Sequence, residues 1–370
     1  MKKILLLTFA FFLSFFIGNA QEKNEVTMLY LLPFHLNEGN VNPLSIRTSA
    51  ELHQIRQFEM MGFWLGAKMA LQQYESSDKQ INVIVRDVVT NEDALRRILN
   101  DTDLMAKVNI IIGPFYGSLF PIAADYATKH NIIIVNPFST RYDFVANYSS
   151  VYKLIPPFLS RPETIDKVFL SNGENYSLVL WGDSVPGPEL TAYKYYFNEH
   201  NIKFKETSRL NVTLDAKKKN LVIALFDKAE RVIQGVHTLF NNEEQIDFVL
   251  VAPEKWFNVS ELTEDFYQLP QLYFFTNYFV KEDDIEVIQF KSDYYFLYET
   301  PALLDDYSYQ GYDITRYFID LFFAGFTPEK VKYTPLSYKF HWNCLPSGGF
   351  ENVKSRLIQV KDLELEEVNN

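Results

Sequence analysis

The chain has 370 residues, 47% of them hydrophobic and 16% aromatic, with a formal net charge of −12. That length exceeds what one ordinary core fills and suits two lobes. The acidic balance argues against nucleic acid or anionic lipid as a partner. Cys344, the single cysteine, excludes a disulfide framework and reads as a small buried hydrophobe.

Met1–Ala20 has the layout of a secretory leader: basic Lys2-Lys3, an apolar run Ile4–Ile17, and the small-x-small site Gly18-Asn19-Ala20. The run is shorter than the ~20 residues of a membrane span. Cleavage is expected after Ala20, giving a periplasmic or secreted protein that is not embedded in a membrane. No cysteine follows the site, so no lipid anchor is expected.

Val26–Leu32 reads as a buried strand closed by Pro33, and Leu36–Glu51 as a polar loop. A long amphipathic helix is predicted over Arg56–Tyr74, a strand over Ile81–Val85 and a helix over Glu92–Leu99, with a short helical piece near Leu104–Lys107. The β-branched runs Ile110–Ile112 and Ile132–Val135 are punctuated by Gly113-Pro114 and Asn136-Pro137, and the segment between them has helical spacing at Leu119, Ile122, Ala123, Tyr126 and Ala127. Such alternation predicts a doubly wound parallel sheet, in which ligands sit at the carboxyl ends of the strands.

After Pro156-Pro157 the pattern restarts. A helix is expected over Pro162–Leu170. Strand–helix pairs follow: Ser177–Trp181 with Glu189–His200, Leu221–Phe226 with Lys228–Phe240, and Phe248–Val251 with the polar stretch Trp256–Phe266. Leu272–Thr276 reads as a strand, Asp283–Tyr298 and Tyr309–Phe323 as helices, and Ser337–Trp342 with Arg356–Val360 as a closing hairpin. The fold class is therefore α/β, with two Rossmann-like lobes carrying parallel sheets.

No phosphate-cradling glycine loop, metal-ligand histidine spacing or nucleophile elbow occurs in the sequence, so neither an enzyme nor a cofactor is called for. Asp283-Asp284 and Asp305-Asp306 fall where helices start, a favourable place for acids. Ser118 is placed as an N-cap after the Gly113–Gly117 turn, and Ser139-Thr140 repeats the arrangement one strand over. Those hydroxyls either cap helices or, with the free N–H groups around them, hold an anion.

The strand–I-G-P turn, the V-N-P-F-S-T strand end and the Y-x-G-Y-D-x-x-R helix from Tyr309 to Arg316, together with the leader, resemble type I periplasmic binding proteins. The likeness is to the branched-chain amino-acid-binding and receptor-ligand-binding group, and nearest to exported members of Bacteroidota type. It implies two lobes joined by three crossovers, with residues 21–138 and 271–335 in the first lobe and 139–270 and 336–370 in the second. A small polar ligand would be held in the cleft and enclosed by hinge closure, with a membrane permease of ABC type as partner. The alternative is an envelope scaffold or interaction module without a small-molecule ligand, marked by an exposed aromatic patch around Tyr294–Tyr298 or Tyr193–Phe197. By position, Tyr116, Gly117 and Ser118 match the segment that meets a ligand carboxylate, and Ser139 and Thr140 one that meets carboxylate or ammonium. Glu254, in Ala252-Pro253-Glu254, matches a glutamate that pairs with ammonium; the plain reading is a solvated glutamate at a helix start. Two departures argue against a free α-amino acid: Phe115 and Tyr116 replace small hydroxyl residues, and Asp183–Pro188 replaces a Y-G-E.

Overall fold

A computed structural model describes residues 24–37, 39, 55–183, 187–209, 214–240, 247–260, 262, 264–267, 269 and 271–368. The leader Met1–Ala20, most of the expected loop after the first strand and Ser184-Val185-Pro186 lie outside the described residues.

Strands β1 (Glu25–Leu32), β2 (Gln80–Asp87), β3 (Ile110–Ile112), β4 (Ile133–Asn136) and β5 (Val151–Lys153) alternate with helices α1 (Met61–Gln72), α2 (Glu92–Leu99), α3 (Thr102–Met105), α4 (Phe120–His130) and α5 (Asp143–Ala146). The second lobe is built from α6 (Ser160–Ile165), β6 (Tyr176–Gly182), α7 (Pro188–Glu199), β7 (Lys205–Thr207), β8 (Lys219–Leu225), α8 (Ala229–Phe240), β9 (Phe248–Pro253), α9 (Glu264–Tyr267) and β10 (Leu272–Thr276). Then come α10 (Ile285–Tyr298), α11 (Ser308–Phe323), β11 (Trp342–Cys344), β12 (Phe350–Asn352), β13 (Arg356–Lys361) and β14 (Glu364–Glu367).

Two seven-stranded sheets result, ordered β11-β12-β5-β4-β3-β1-β2 and β14-β13-β10-β9-β8-β6-β7. All pairings are parallel except β11 with β12, β10 with β13 and β13 with β14. The fold class expected from the sequence is the one observed.

Successive side chains of a strand point to opposite faces, so β1 feeds two cores. Val26, Met28, Tyr30 and Leu32 pack under α1, α10 and α11, while Leu29 and Leu31 pack under α2 and α4. In the second sheet Val222, Ala224, Leu250 and Ala252 face α8, and Leu221, Ile223, Val249 and Val251 face α6 and α7. Helices α1 and α11 cross at backbone contact. A Cβ on Gly66 would overlap the Ser308 carbonyl, and one on Gly311 the Phe63 carbonyl.

The chain passes between sheets three times: after β5, after β10 and after β12. The boundaries differ from those expected. β5 belongs to the first sheet, so that lobe continues past 138, and β10 belongs to the second, past 270. The closing hairpin is also different: β11 pairs with β12 in the first sheet and β13 with β14 in the second. These strands are three to six residues long and β12 finds its parallel partner in distant β5, so local periodicity could not assign them. Cys344 lies on the edge strand β11 and is exposed, not buried.

The crossings are stitched together. Arg356 donates to the carbonyls of Phe279 (3.0 Å) and Ser337 (2.6 Å) and forks onto Glu367 at 3.1 and 2.8 Å. Asp313 on α11, fully buried, accepts five hydrogen bonds: Tyr333 hydroxyl (2.5 Å), Leu336 N–H (2.8 Å), Ser337 N–H (2.7 Å), Ser337 hydroxyl (2.6 Å) and Tyr338 N–H (3.3 Å). Ser160 and Ser355 hydrogen-bond through their hydroxyls.

Candidate functional site

The carboxyl ends of β3 and β4 carry the first-lobe candidates. Gly113 turns the chain at φ +91°, where a Cβ would sit 2.7 Å from the Leu31 carbonyl, so a side chain is excluded there. Tyr116 is half-buried, its hydroxyl 3.1 Å from His35 Nε2, and its carbonyl accepts the Leu119 N–H at 3.0 Å. A Cβ on Gly117 would meet the Phe144 ring at ordinary contact distance. Ser118 is exposed and does not cap α4. Leu119 occupies the N-cap without a side-chain hydrogen bond, because Pro121 enters the first turn and the Tyr116–Leu119 turn delays the helix start.

Ser139 does not cap a helix either. Its N–H donates to the buried Asn136 side chain (2.9 Å) and its hydroxyl accepts the Arg141 N–H (3.1 Å), the side-chain-to-backbone pattern of a loop. Thr140 is exposed, and α5 begins only at Asp143. The expectation for the acid pairs holds in part of each. Asp284 caps α10 through Glu286 N–H at 2.8 Å, and Asp306 accepts Ser308 N–H at 2.9 Å at the start of α11.

Glu254 opens a short 3-10 turn, Glu254–Asn258, at the end of β9. Trp256, fully buried, pins that turn by donating its indole N–H to the Phe226 carbonyl at 2.6 Å. Glu254 accepts the Thr276 hydroxyl at 2.7 Å, and the Tyr278 N–H donates back to that hydroxyl at 3.2 Å. Although the residue is open to solvent on one side, surrounding protein desolvates its carboxyl and pushes it up, against the Thr276 hydrogen bond and the nearby Arg161 charge.

Between these groups lies an aromatic bridge. Phe138 stands 5.3 Å from Phe115, 4.7 Å from Tyr307 and 6.3 Å from Tyr278, measured between ring centroids. Phe115 in turn meets Phe63 at 5.2 Å, and Tyr278 meets Tyr338 at 5.2 Å. Phe115, Phe138, Tyr278 and Tyr307 are all half-buried. Tyr307 takes φ +63°, an uncommon conformation for a bulky residue and one found where the surroundings fix it. Burial raises the Tyr278 hydroxyl, so it stays a neutral phenol. One continuous path of contacts therefore runs from Phe115, beside Tyr116, through Phe138, beside Ser139, to Tyr278, Thr276 and Glu254. Gly117, Ser118 and Thr140 stand off it. Sequence reasoning missed His35, Thr276, Tyr278 and Tyr307, whose only signal is their position just past a strand end or at a helix start. Phe138 stood in the V-N-P-F-S-T run but was not singled out.

No family model and no curated protein matches the chain in sequence. Solved structures do. A putative branched-chain amino acid ABC transporter protein from Rhodospirillum rubrum aligns with TM-score 0.65 at 12% identity, covering 93% of this chain and 100% of that one. An ABC transporter substrate-binding protein from Desulfitobacterium hafniense, in complex with Leu, gives 0.56 at 13% identity with 93% and 100% coverage. The fold is that of type I periplasmic binding proteins. LpoA from Haemophilus influenzae shares it over 95% of this chain and 60% of that one, with TM-score 0.58 at 13% identity. In open α/β sheets ligands sit outside the carboxyl ends of the strands, and Phe115, Phe138, Glu254 and Tyr278 follow such ends at β3, β4, β9 and β10. Among the described residues there is no cluster able to hold a metal ion, and no helix is long and apolar enough to cross a membrane.

Proposed function

We propose that this is an exported, non-catalytic binding protein that takes a small polar ligand between its lobes and encloses it by hinge closure, delivering it to an ABC-type permease. The ligand carries a cationic group for Glu254 and a flat apolar face for Phe115, Phe138 and Tyr278, with Tyr116, Gly117, Ser118, Ser139 and Thr140 at the first-lobe rim. The observation that carries this reading is the contact path joining the aromatic bridge to Glu254. A partly desolvated carboxylate favours a cation over water, and aromatic faces attract the same charge. A free α-amino acid is disfavoured, because Phe115 occupies the place of small hydroxyls.

A thermal-shift and calorimetric panel of amines, amino acids, peptides and sugars tests the proposal. A specific ligand near 100 Kd stabilises by about 2.7 kcal/mol. Binding should be lost in Glu254→Gln, and in the native protein it should weaken as pH falls through the raised value of that carboxyl, since only the ionised form pairs with a cation. Silence across the panel, or a ligand indifferent to Glu254→Gln, would refute it. A second reading, an envelope interaction module, draws on a different observation: Tyr295 and Phe296 are 59% and 84% exposed on the first lobe.

A further inference from the structure

Helix α11 carries one charged side chain that neither the cleft nor the crossings use. Within the run from Tyr309 to Arg316, Gly311 lets α1 approach and Asp313 anchors the segment 333–338. Arg316 follows Tyr312 by one turn on the same face of the helix and is half-buried. It donates from Nη1 to the Tyr312 hydroxyl at 2.8 Å and lies over the Tyr333 ring at 4.3 Å. Tyr333 is itself fixed by its 2.5 Å bond to Asp313. The guanidinium is therefore held in place, with no carboxylate within ion-pair distance and no partner for Nε or Nη2 among the described residues. Taking a cation part-way out of water without a counter-charge is costly, and a ring face offsets only some of that cost.

Arg316 lines a cavity of about 340 Å³ between α1, α10 and α11 that shares no residue with the aromatic bridge. Small-molecule sites run from roughly 300 to 1,000 Å³. Met69 and Phe290, both buried, give the cavity an apolar lining, and α10 brings Glu286 and Asp293 to it, seven residues apart and so on one face of the helix.

We infer that this cavity is a second binding site, separate from the cleft, for a small dipolar molecule. Its carboxylate is received by Arg316 and its ammonium by Glu286 and Asp293, with a short apolar body against Met69 and Phe290. The open edge of a guanidinium takes a carboxylate through two parallel hydrogen bonds. A purely anionic ligand would meet two acids, and a purely cationic one would leave Arg316 unpaired. A molecule with both charges answers every ionised group in the cavity.

Three straight-chain probes, ε-aminocaproate, caproate and hexylamine, test this by calorimetry and thermal shift on the intact protein. The dipolar probe should bind roughly tenfold or more tighter than either single-charge probe, the scale of one charge-assisted hydrogen bond. Arg316→Met keeps an apolar stem and should remove the preference over hexylamine. Asp293→Asn can still accept the Gln289 side-chain N–H and should reduce the preference over caproate; it decides the matter if Arg316→Met does not fold. Glu254→Gln should leave all three affinities unchanged, which separates this site from the cleft. The inference is overturned if ε-aminocaproate does not bind up to about 10 mM, if the three probes bind alike, or if binding is lost in Glu254→Gln and kept in Arg316→Met.

Discussion

Asp313→Asn puts the buried link between α11 and the segment 333–338 to a direct test. Two opposed effects act on this carboxylate. Burial penalises its charge and pushes it up, while five donors stabilise that charge. In the asparagine variant one oxygen remains. If it keeps the Oδ2 partners, the amide faces Tyr333, whose hydroxyl can turn to accept, and the Leu336 N–H, which cannot. If it keeps the Oδ1 partners, the orphans are the N–H groups of Ser337 and Tyr338. An orphaned buried donor costs about 1–3 kcal/mol, and each remaining bond loses its charge assistance, so the expected loss is about 2–4 kcal/mol. Denaturant unfolding of the intact protein should show a lower midpoint at unchanged slope, with Tyr333→Phe losing about 1 kcal/mol as the single-bond control. A variant within about 0.5 kcal/mol of wild type, or more stable, would refute the reasoning. It would mean that relief of the desolvation penalty outweighs the donors, as happens when buried ion pairs are replaced by neutral groups.

Other outcomes follow from the same contacts. Burial alone would raise the Glu367 carboxyl, but the Arg356 fork and the Lys339 charge overcome it and hold it below its usual 4.5. Its stabilisation is therefore complete above that value and is lost as pH falls through the lowered folded one; Glu367→Gln should flatten the acid limb of the stability curve, and an unaltered limb would count against the network. Gly311→Ala drives a Cβ into the Phe63 carbonyl, a backbone atom that cannot rotate away. It should cost about 3 kcal/mol or more, seen as loss of near-ultraviolet dichroism or of soluble protein, and a melting point within a few degrees of wild type would show that the helices separate easily. Phe138→Ala removes the centre of the aromatic bridge and should destabilise by about 2–3 kcal/mol for a half-buried ring while abolishing ligand-induced thermal shifts.

Much of the fold was legible because the signals were local and redundant. Ile110–Ile112 and Leu272–Thr276 fall where expected since each is a short run of β-branched or aromatic residues with clear ends, and Glu92–Leu99 has its Asn91 cap at 2.9 Å from Ala94 N–H. Phe115 and Tyr116 were legible as departures from a hydroxyl cradle. What they pack against was not, because Phe138 and Tyr307 come from other loops and Tyr278 from beyond a crossing. Ser118 misled because a serine before a helical run fits an N-cap equally well one residue early, and only Pro121 and the Tyr116–Leu119 turn decide the register. Cys344 misled for a related reason. A three-residue strand has no period from which to read a face, and β11 is the edge of its sheet.

The three passages between sheets also govern the order in which the molecule can be completed. The first sheet waits for β11 and β12, and its principal helical cover, α11, arrives only at Ser308–Phe323. The second sheet waits for β13 and β14 at the far end of the chain. Neither lobe is thus a contiguous fragment, and a nascent chain that has emerged through β5 exposes Tyr30, Phe63 and Ile112 with no α11 to bury them. Such a chain is held back from early collapse into a finished lobe until most of its length has been released.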